Sequence, residues 1–256
     1  MRVVVGRSVV EGAVRAPPSK SVTHRALVCS ALSDGRSSIH NPLRSDDTEA
    51  TLEALKALGV RIAGSWTLLE VEGGELQTLK DLMDCRESGT TMRFMTSVCT
   101  LSEGRCTLTG SPSLLRRPVG PLVEALNQLG ASVSCRSGFP PVYVDGRGTL
   151  PGGSAEMRGD VSSQFVSAVL LSAPSSRDGV RLTLTTPLVS RPYVELTMRV
   201  QEVFGVHVEA SGDFREFYVE PQDYRPTSIR VEGDWSSASF MLAAGALSGR
   251  VVVEGL

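Results

Sequence analysis

The run "APPSKSVTHRAL" sets Ser19, Lys20 and Ser21 behind two prolines and just ahead of an apolar, alanine-rich segment, with Arg25 four residues past Ser21. Backbone N–H groups at a helix start are unsatisfied and carry partial positive charge, so a phosphate or carboxylate binds there readily. Residues four apart share a helix face, which brings Arg25 to the same spot as the serines and the lysine. A capped helix with a solvated lysine fits the same pattern, with Ser19 or Ser21 as the N-cap. "DCRESGTTMRF" is a second such start: Gly89 admits close backbone approach, Thr90 and Thr91 add hydroxyls, and Arg93 adds a guanidinium. "GSPSLLRRPVGPL" places Arg116 and Arg117 ahead of Pro118, which favours an extended residue before it. Paired arginines in a rigid loop suit bidentate recognition of phosphate or carboxylate. "GDVSSQF" offers Ser162, Ser163 and Gln164 at a third helix start, chemistry suited to a polyol or phosphate. "LVSRPY" adds Ser190, Arg191 and Tyr193 in a loop at the position corresponding to the Arg117 loop. If these starts face one cleft, Lys20, Arg25, Arg93, Arg117 and Arg191 make it strongly positive and fit it to a doubly anionic substrate or to two phosphorylated ones.

Composition gives no global reason for such a site. The 256 residues carry a net charge of −2, with 41% hydrophobic and 21% charged side chains, which points to a globular protein and away from nucleic acid or an anionic membrane. Any anion must therefore be held by a local cluster of Lys and Arg. The five cysteines, Cys29, Cys85, Cys99, Cys106 and Cys135, are odd in number and include no C-x-x-C pair, so they read as reduced core thiols of a cytoplasmic protein. His24, His40 and His207 have no metal-ligand spacing, and no metal is expected. The N-terminal apolar run is too short for a signal peptide, and no segment reaches membrane-spanning length.

The elements that must position these residues recur along the chain. Four segments open on small hydroxyl residues or glycine and continue as small-apolar helices: "SKSVTHRALVCSALSDGR", "SGTTMRFMTSVCTLSEGR", "SSQFVSAVLLSAPSSRDGV" and "SSASFMLAAGALSGR". Each ends in a glycine that launches a strand, and Gly35, Gly104, Gly179 and Gly249 stand 69, 75 and 70 residues apart. Between them run amphipathic helices closed by a C′ glycine, "TLEALKALGVRI", "LVEALNQLGASV" and "TMRVQEVFGVHV", each followed by two strands. The fold expected is α/β (α+β): tandem βαβαββ modules packed around shared helices. Three modules make a complete domain over residues 16–229. Residues 1–15, with strands at "RVVV" and "SVVEGAV", and residues 230–256 are expected to belong to a second, incomplete domain, with a boundary near Pro226 to Gly233 where the third unit closes. The fourth unit starts at Ser236 and reaches Leu256 without its second helix and closing strands, so the sequence is expected to be the front part of a longer protein whose last strand lacks neighbours.

In order and spacing, "SKSVTHRAL", "ESGTTMR", "RRPVGPLVEAL", "GDVSSQF", "LVSRPYVELT" and "VEGDWSSASF" resemble the 5-enolpyruvylshikimate-3-phosphate synthase family over almost the whole chain. The resemblance implies a cytoplasmic, monomeric transferase of the shikimate pathway, which makes aromatic amino acids, working without metal or organic cofactor. It would move the enolpyruvyl group of phosphoenolpyruvate to the 5-hydroxyl of shikimate 3-phosphate and release phosphate. The resemblance assigns Lys20 to both substrates and to catalysis. It gives Ser21, Arg25, Ser162, Ser163, Ser190 and Tyr193 to shikimate 3-phosphate, Gln164 to the junction of the two substrates, and Gly89 and Arg117 to phosphoenolpyruvate, where glyphosate also binds. The family's proton-transferring carboxylates and further phosphoenolpyruvate ligands would lie beyond Leu256. Glu87 stands where many members have asparagine, and Arg191 where lysine is frequent. Two alternatives are a non-catalytic substrate-binding fragment and the sister enzyme that acts on UDP-N-acetylglucosamine. The latter carries a reactive cysteine five residues before the loop arginine, where this chain has Pro112.

Overall fold

A computed structural model describes residues 4, 6 and 8–256. In chain order the elements are β1 (Val10–Arg15), α1 (Lys20–Leu32), β2 (Gly35–His40), α2 (Asp46–Ala57), β3 (Arg61–Ser65), β4 (Leu68–Gly73) and β5 (Leu82–Asp84). Then follow α3 (Gly89–Val98), β6 (Glu103–Thr109), α4 (Gly120–Gln128), β7 (Val133–Arg136), β8 (Phe139–Arg147), β9 (Gly153–Met157) and α5 (Ser163–Ser172). The chain continues through β10 (Val180–Leu184), α6 (Arg191–Val203), β11 (Glu209–Ala210), β12 (Glu216–Val219), β13 (Ser228–Arg230), α7 (Trp235–Ser248) and β14 (Gly249–Glu254). The strand expected at residues 2–5 falls, apart from Val4, outside the described residues.

Three four-stranded sheets repeat one plan. Their orders are β13-β2-β4-β3, β5-β6-β8-β7 and β9-β10-β12-β11, and in each the first pair is parallel and the other two pairs are antiparallel. In the second and third units the chain passes from the first strand through a helix to the parallel second strand, then through a second helix to the antiparallel pair, which is the expected βαβαββ unit. One feature departs from the expectation. β13 does not close the third unit. It lies parallel to β2 with Ile229 opposite Ile39, supplying the strand that the first unit lacks at its own start. The three units thus close into a ring.

Sequence pattern explains the layering. α1, α3 and α5 are buried on nearly every side, as a helix without a polar face must be, and form the centre. Their apolar residues join the inner faces of all three sheets in one core. α2, α4 and α6 are amphipathic and end on Gly59, Gly130 and Gly205, whose φ values of 86°, 85° and 79° are those of the C′ glycines expected there. α1 and α3 run down onto the last strands of their own units at Gly73 and Gly146. A Cβ at Gly73 would collide with the carbonyl oxygens of Ser30 and Ala31, and one at Gly146 with those of Cys99 and Ser102. Gly73→Ala and Gly146→Ala should each destabilise the fold by about 1–3 kcal/mol, the usual cost of overpacking. Denaturant unfolding checks this, and a loss of under roughly 0.5 kcal/mol in both would show that the helix ends are not seated as described.

The remaining elements stand apart from the three sheets. β1 pairs in parallel with β14, from Val10 opposite Gly249 to Arg15 opposite Glu254, and α7 packs on β14. Among the described residues β1 is the only strand beside β14. Residues 16–20 and 231–234 run past each other, held by Ser19 N–H to Glu232 O at 2.8 Å and Asp234 N–H to Pro17 O at 2.8 Å. Among the described residues no helix is long and apolar enough to cross a membrane.

Candidate functional site

The three central helices start side by side, each capped by a serine. Ser19 accepts from Val22 N–H, Ser88 from Thr91 N–H and Ser162 from Gln164 N–H. Of the two serines the sequence offers for the first cap, Ser19 takes the role, which leaves the Ser21 hydroxyl available at the cleft. Above these starts lies a cleft of about 550 Å³ lined from α1 by Lys20, Ser21 and Arg25, and from α3 by Thr90 and Arg93. Arg117 and Pro118 reach it from the loop before α4, Ser162 to Phe165 from the start of α5, and Ser190 and Tyr193 from the start of α6. Nine of the ten residues that the family resemblance assigns to substrates line this one space. The tenth, Gly89, lies beneath it. A Cβ there would strike the Arg93 guanidinium and come within 3.3 Å of Arg117 Nη1, so both guanidinium groups lie close over the first turn of α3.

Four cations and no carboxylate line the cleft among the described residues. Two of the cations are buried. Arg25, only 2% exposed, donates from Nε to Thr197 Oγ1 at 2.7 Å, from Nη1 to Ser21 O at 2.9 Å, and from Nη2 to Tyr193 O at 2.9 Å and Ser167 Oγ at 3.4 Å. Its guanidinium lies 5.2 Å from the ring centre of Phe94 on α3. Arg93 repeats the arrangement one helix on. It is 7% exposed, donates to Gly89 O at 2.9 Å and Pro118 O at 3.4 Å, and sits 5.5 Å from the ring centre of Phe165 on α5. Its buried Nε has no partner. Burial lowers both guanidinium pKa values to about 10, with the neighbouring charge of Arg117 adding to the shift at Arg93; both groups stay protonated at neutral pH. A buried cation without a counter-ion is costly, and the fold holds two here with their free faces toward one cleft. Such a pair of cations suits an anionic ligand.

The exposed cations are arranged differently. Lys20 Nζ pairs with Asp47 Oδ2 at 2.7 Å, from the first turn of α2. Asp47 went unnoticed in the sequence because "SDDTEA" reads as an ordinary acidic first turn after the Ser45 cap, whose capping box with Thr48 the structure shows. Arg117 ends the short 3-10 turn Leu114–Arg116 in an extended conformation, as the following proline requires. Arg191, expected near the pocket, does not line it. It pairs with Glu195 one turn along α6 at 2.8 Å and lies 3.8 Å from the ring centre of Phe214, so local partners turn it away. Ser190 has φ 53° and ψ 44°, a left-handed conformation rare for serine, and makes no cap bond, so its hydroxyl is left for the cleft. Gln164 Nε2 donates to Thr90 Oγ1 at 3.0 Å, tying the starts of α5 and α3. All five cysteines are free thiols and none lines the cleft, and no His, Cys, Asp and Glu cluster among the described residues could hold a metal ion.

With this geometry in place the chain can be set against known proteins. A sequence profile described as EPSP synthase (3-phosphoshikimate 1-carboxyvinyltransferase) matches residues 4–256. The chain belongs to the EPSP synthase family. Among relatives, the 3-phosphoshikimate 1-carboxyvinyltransferase of Methanothermobacter thermautotrophicus is 47% identical over 253 residues, covering 96% of this chain and 59% of that protein. The enzyme of the same name from Methanocorpusculum labreanum is 41% identical over 260 residues, covering all of this chain and 61% of that protein. The EPSP synthase of Acinetobacter baumannii superposes with a TM-score of 0.84 at 27% identity, over 98% of this chain and 57% of that one. The tandem βαβαββ architecture expected from the repeats is therefore the enolpyruvyl transferase fold that this chain shares with EPSP synthase. The family match favours the shikimate branch over the UDP-N-acetylglucosamine branch, in agreement with Pro112 at the place of the reactive cysteine. The chain spans about three fifths of the length of the curated relatives it matches.

Proposed function

We propose that this chain carries the shikimate 3-phosphate site, and one wall of the phosphoenolpyruvate site, of a 3-phosphoshikimate 1-carboxyvinyltransferase. The observation that carries the reading is the pair of buried arginines, Arg25 and Arg93, that face one cleft at three helix starts without a carboxylate partner in the cleft lining. Residues 16–229 act as the substrate-binding domain. Arg25 and the hydroxyls of Ser21, Ser162, Ser163, Ser190 and Tyr193 hold the phosphate and the ring hydroxyls of shikimate 3-phosphate. Arg117, Arg93 and the backbone at Gly89 take the phosphate of phosphoenolpyruvate. Lys20 and Gln164 lie between the two ligands. In the reaction the methylene carbon of phosphoenolpyruvate gains a proton and the 5-hydroxyl adds to its neighbour. Phosphate then leaves and a proton is lost to regenerate the vinyl group. Fixed cations stabilise negative charge as it moves onto the departing phosphate, at no reorganisation cost during the step.

Proton transfer needs an acid and a base, and the cleft lining among the described residues offers no carboxylate. The 256 residues alone thus bind the phosphorylated substrate without turning it over. Calorimetry with shikimate 3-phosphate should show one site, weakened about tenfold in Ser163→Ala by loss of a hydrogen bond to a charged group. A parent chain that does not bind shikimate 3-phosphate overturns the site assignment, and turnover by the chain alone overturns its incompleteness.

A further inference from the structure

Arg117 reaches the cleft from a turn held by two backbone bonds, Leu115 N–H to Ser111 O and Arg117 N–H to Leu114 O, each at 3.0 Å, and by the buried Leu114 side chain. Its opening end, Ser111 to Ser113, is exposed or half-buried. Ser113 stands at the N-cap position of the Leu114–Arg116 turn but makes no cap hydrogen bond. Its hydroxyl donates instead to Glu87 Oε2, on the segment that leads into α3 two residues before Gly89. A backbone bond runs beside it, from Ser111 N–H to Arg86 O at 2.8 Å. Arg86 is fixed in turn. It has a left-handed φ of 51°, its N–H donates to Asp84 Oδ1 at 2.8 Å, and its guanidinium pairs with Glu49 on α2 at 3.2 Å. Glu87 is therefore the side chain that joins an anchored segment, which delivers Gly89 and Thr90 to the cleft, to the turn that delivers Arg117.

We propose that Glu87 is a positioning residue for Arg117. Its carboxylate fastens the Ser111–Ser113 turn to the start of α3, so that the Arg117 guanidinium stands beside Arg93 above Gly89, and it thereby sets the anion affinity of that half of the cleft. A carboxylate near an anion site would by charge alone oppose binding. Two features make the fastening outweigh this. The hydroxyls of Ser111 and Ser113, and after them the charge of Arg117, hold the Glu87 carboxyl below the usual carboxylate range, so it stays an acceptor throughout the neutral range. Glu87 is also exposed, so solvent and salt screen its charge at a distance while the contact to Ser113 persists. The inference rests on the cleft being an anion site and not on which phosphorylated substrate fills it.

The test uses the full chain and inorganic phosphate as probe, titrated while the amide resonances of Gly89 and Thr90 are followed by NMR. Glu87→Ala and Ser113→Ala should each weaken the phosphate response at these amides about tenfold, the scale of one hydrogen bond to a charged group. Glu87→Gln keeps an acceptor and drops the charge, and should bind phosphate at least as well as the parent to within about threefold. In an Arg117→Ala background Glu87→Ala should add less than a twofold change, since the residue it positions is gone. A general loss of structure would not give this coupling, and thermal melts of each variant confirm folding. The proposal is overturned if Glu87→Ala leaves phosphate affinity unchanged, if it weakens binding equally with and without Arg117, or if the parent's Gly89 and Thr90 amides do not respond to phosphate. A chain that fails to bind shikimate 3-phosphate yet shows the Glu87–Arg117 coupling would remove the functional reading and leave this one standing.

Discussion

Arg25→Met should weaken shikimate 3-phosphate binding by about ten- to a hundredfold while leaving the fold in place. The guanidinium is 2% exposed, and among the described residues the other cation that α1 and α6 bring to the cleft lining is Lys20, which is already paired with Asp47. Four of the five Arg25 N–H groups already meet protein acceptors. The substitution therefore removes the buried charge and the one remaining Nη1 hydrogen bond to a ligand anion, worth about 1.5–3 kcal/mol, where about 1.4 kcal/mol is a factor of ten in affinity. Stability should change far less, because no acceptor is orphaned. Tyr193 O still accepts from Thr197 Oγ1 at 2.9 Å, Thr197 still meets Ser167 Oγ at 2.8 Å, and Ser21 O belongs to the first turn of α1. Methionine fills much of the same volume and places sulfur against Phe94, a favourable contact. Relief from burying an uncompensated charge offsets part of what the arginine's hydrogen bonds contributed. The measurement is a pair of thermal melts with and without shikimate 3-phosphate. The parent midpoint should rise with ligand and the variant midpoint should not, since only a ligand that binds the folded state stabilises it. A variant that keeps affinity within about threefold would show that Arg25 is a structural arginine.

The fate of individual residues shows what the sequence could and could not disclose. The three helix starts were legible because hydroxyl and glycine residues ahead of a small-apolar run have a local cause: N–H groups need acceptors, and helices that pack on one another need small side chains. The period was legible because the glycines closing α2, α4 and α6 each answer a positive φ. The swap of β13 into the first sheet was not legible. Ser228–Arg230 is three residues long, too short for an alternation, and its partner β2 lies some 190 residues away, as the Thr227 N–H bond to Ser37 Oγ illustrates. Arg191 was misplaced because its basic charge drew attention while its local partners, Glu195 and Phe214, decided its direction. Asp47, Thr197 and Ser167 were missed for a common reason. Each acts on a cleft residue of another element, Asp47 on Lys20 and the other two on Arg25, and pairing between distant elements leaves no spacing in the chain.

Stability should fall steadily as pH drops from about 6.5 to 4.5, and His24 should be the cause. His24 lies on the inner face of α1, 1% exposed. Its Nδ1 meets Thr51 Oγ1 at 2.7 Å, Thr51 meets Thr91 Oγ1 at 2.7 Å, and Thr91 Oγ1 reaches Ser88 Oγ at 2.7 Å and Asp47 O at 3.1 Å. The relay links α1, α2 and α3 just below the cleft, and it is built for a neutral imidazole: Nε2 is buried without a partner that could share a charge. Burial is the main cause that lowers the His24 pKa from 6.5 to about 3; Arg25 and Lys20 lower it further, and only Asp47 opposes them. The sign follows directly. The unfolded chain takes up a proton at this residue below about pH 6.5 while the folded one does not until about pH 3, so stability is complete above that window and is lost as pH falls through it. One proton costs about 1.4 kcal/mol per pH unit once the unfolded histidine is fully protonated, which amounts to about 2.3 kcal/mol between pH 6.5 and 4.5. The carboxylates whose pKa values are lowered, Glu49, Glu87, Asp160, Asp178 and Asp213, lose their contributions only below about pH 4.5, so the upper window isolates the histidine. Denaturant unfolding at half-unit pH steps reads the slope, and His24→Gln, which can still meet Thr51, should flatten it. A parent whose stability is level across this window, or a His24→Gln variant that keeps the parent's slope, would place the acid sensitivity elsewhere. The outcome also bears on binding, because the same relay ends on Ser88, the cap that presents Gly89 to the anion, and on the backbone of Asp47, which holds Lys20. In the folded protein His24 stays neutral down to about pH 3, so the relay is intact across this window, and anion affinity should hold where stability falls and drop only as pH nears 3.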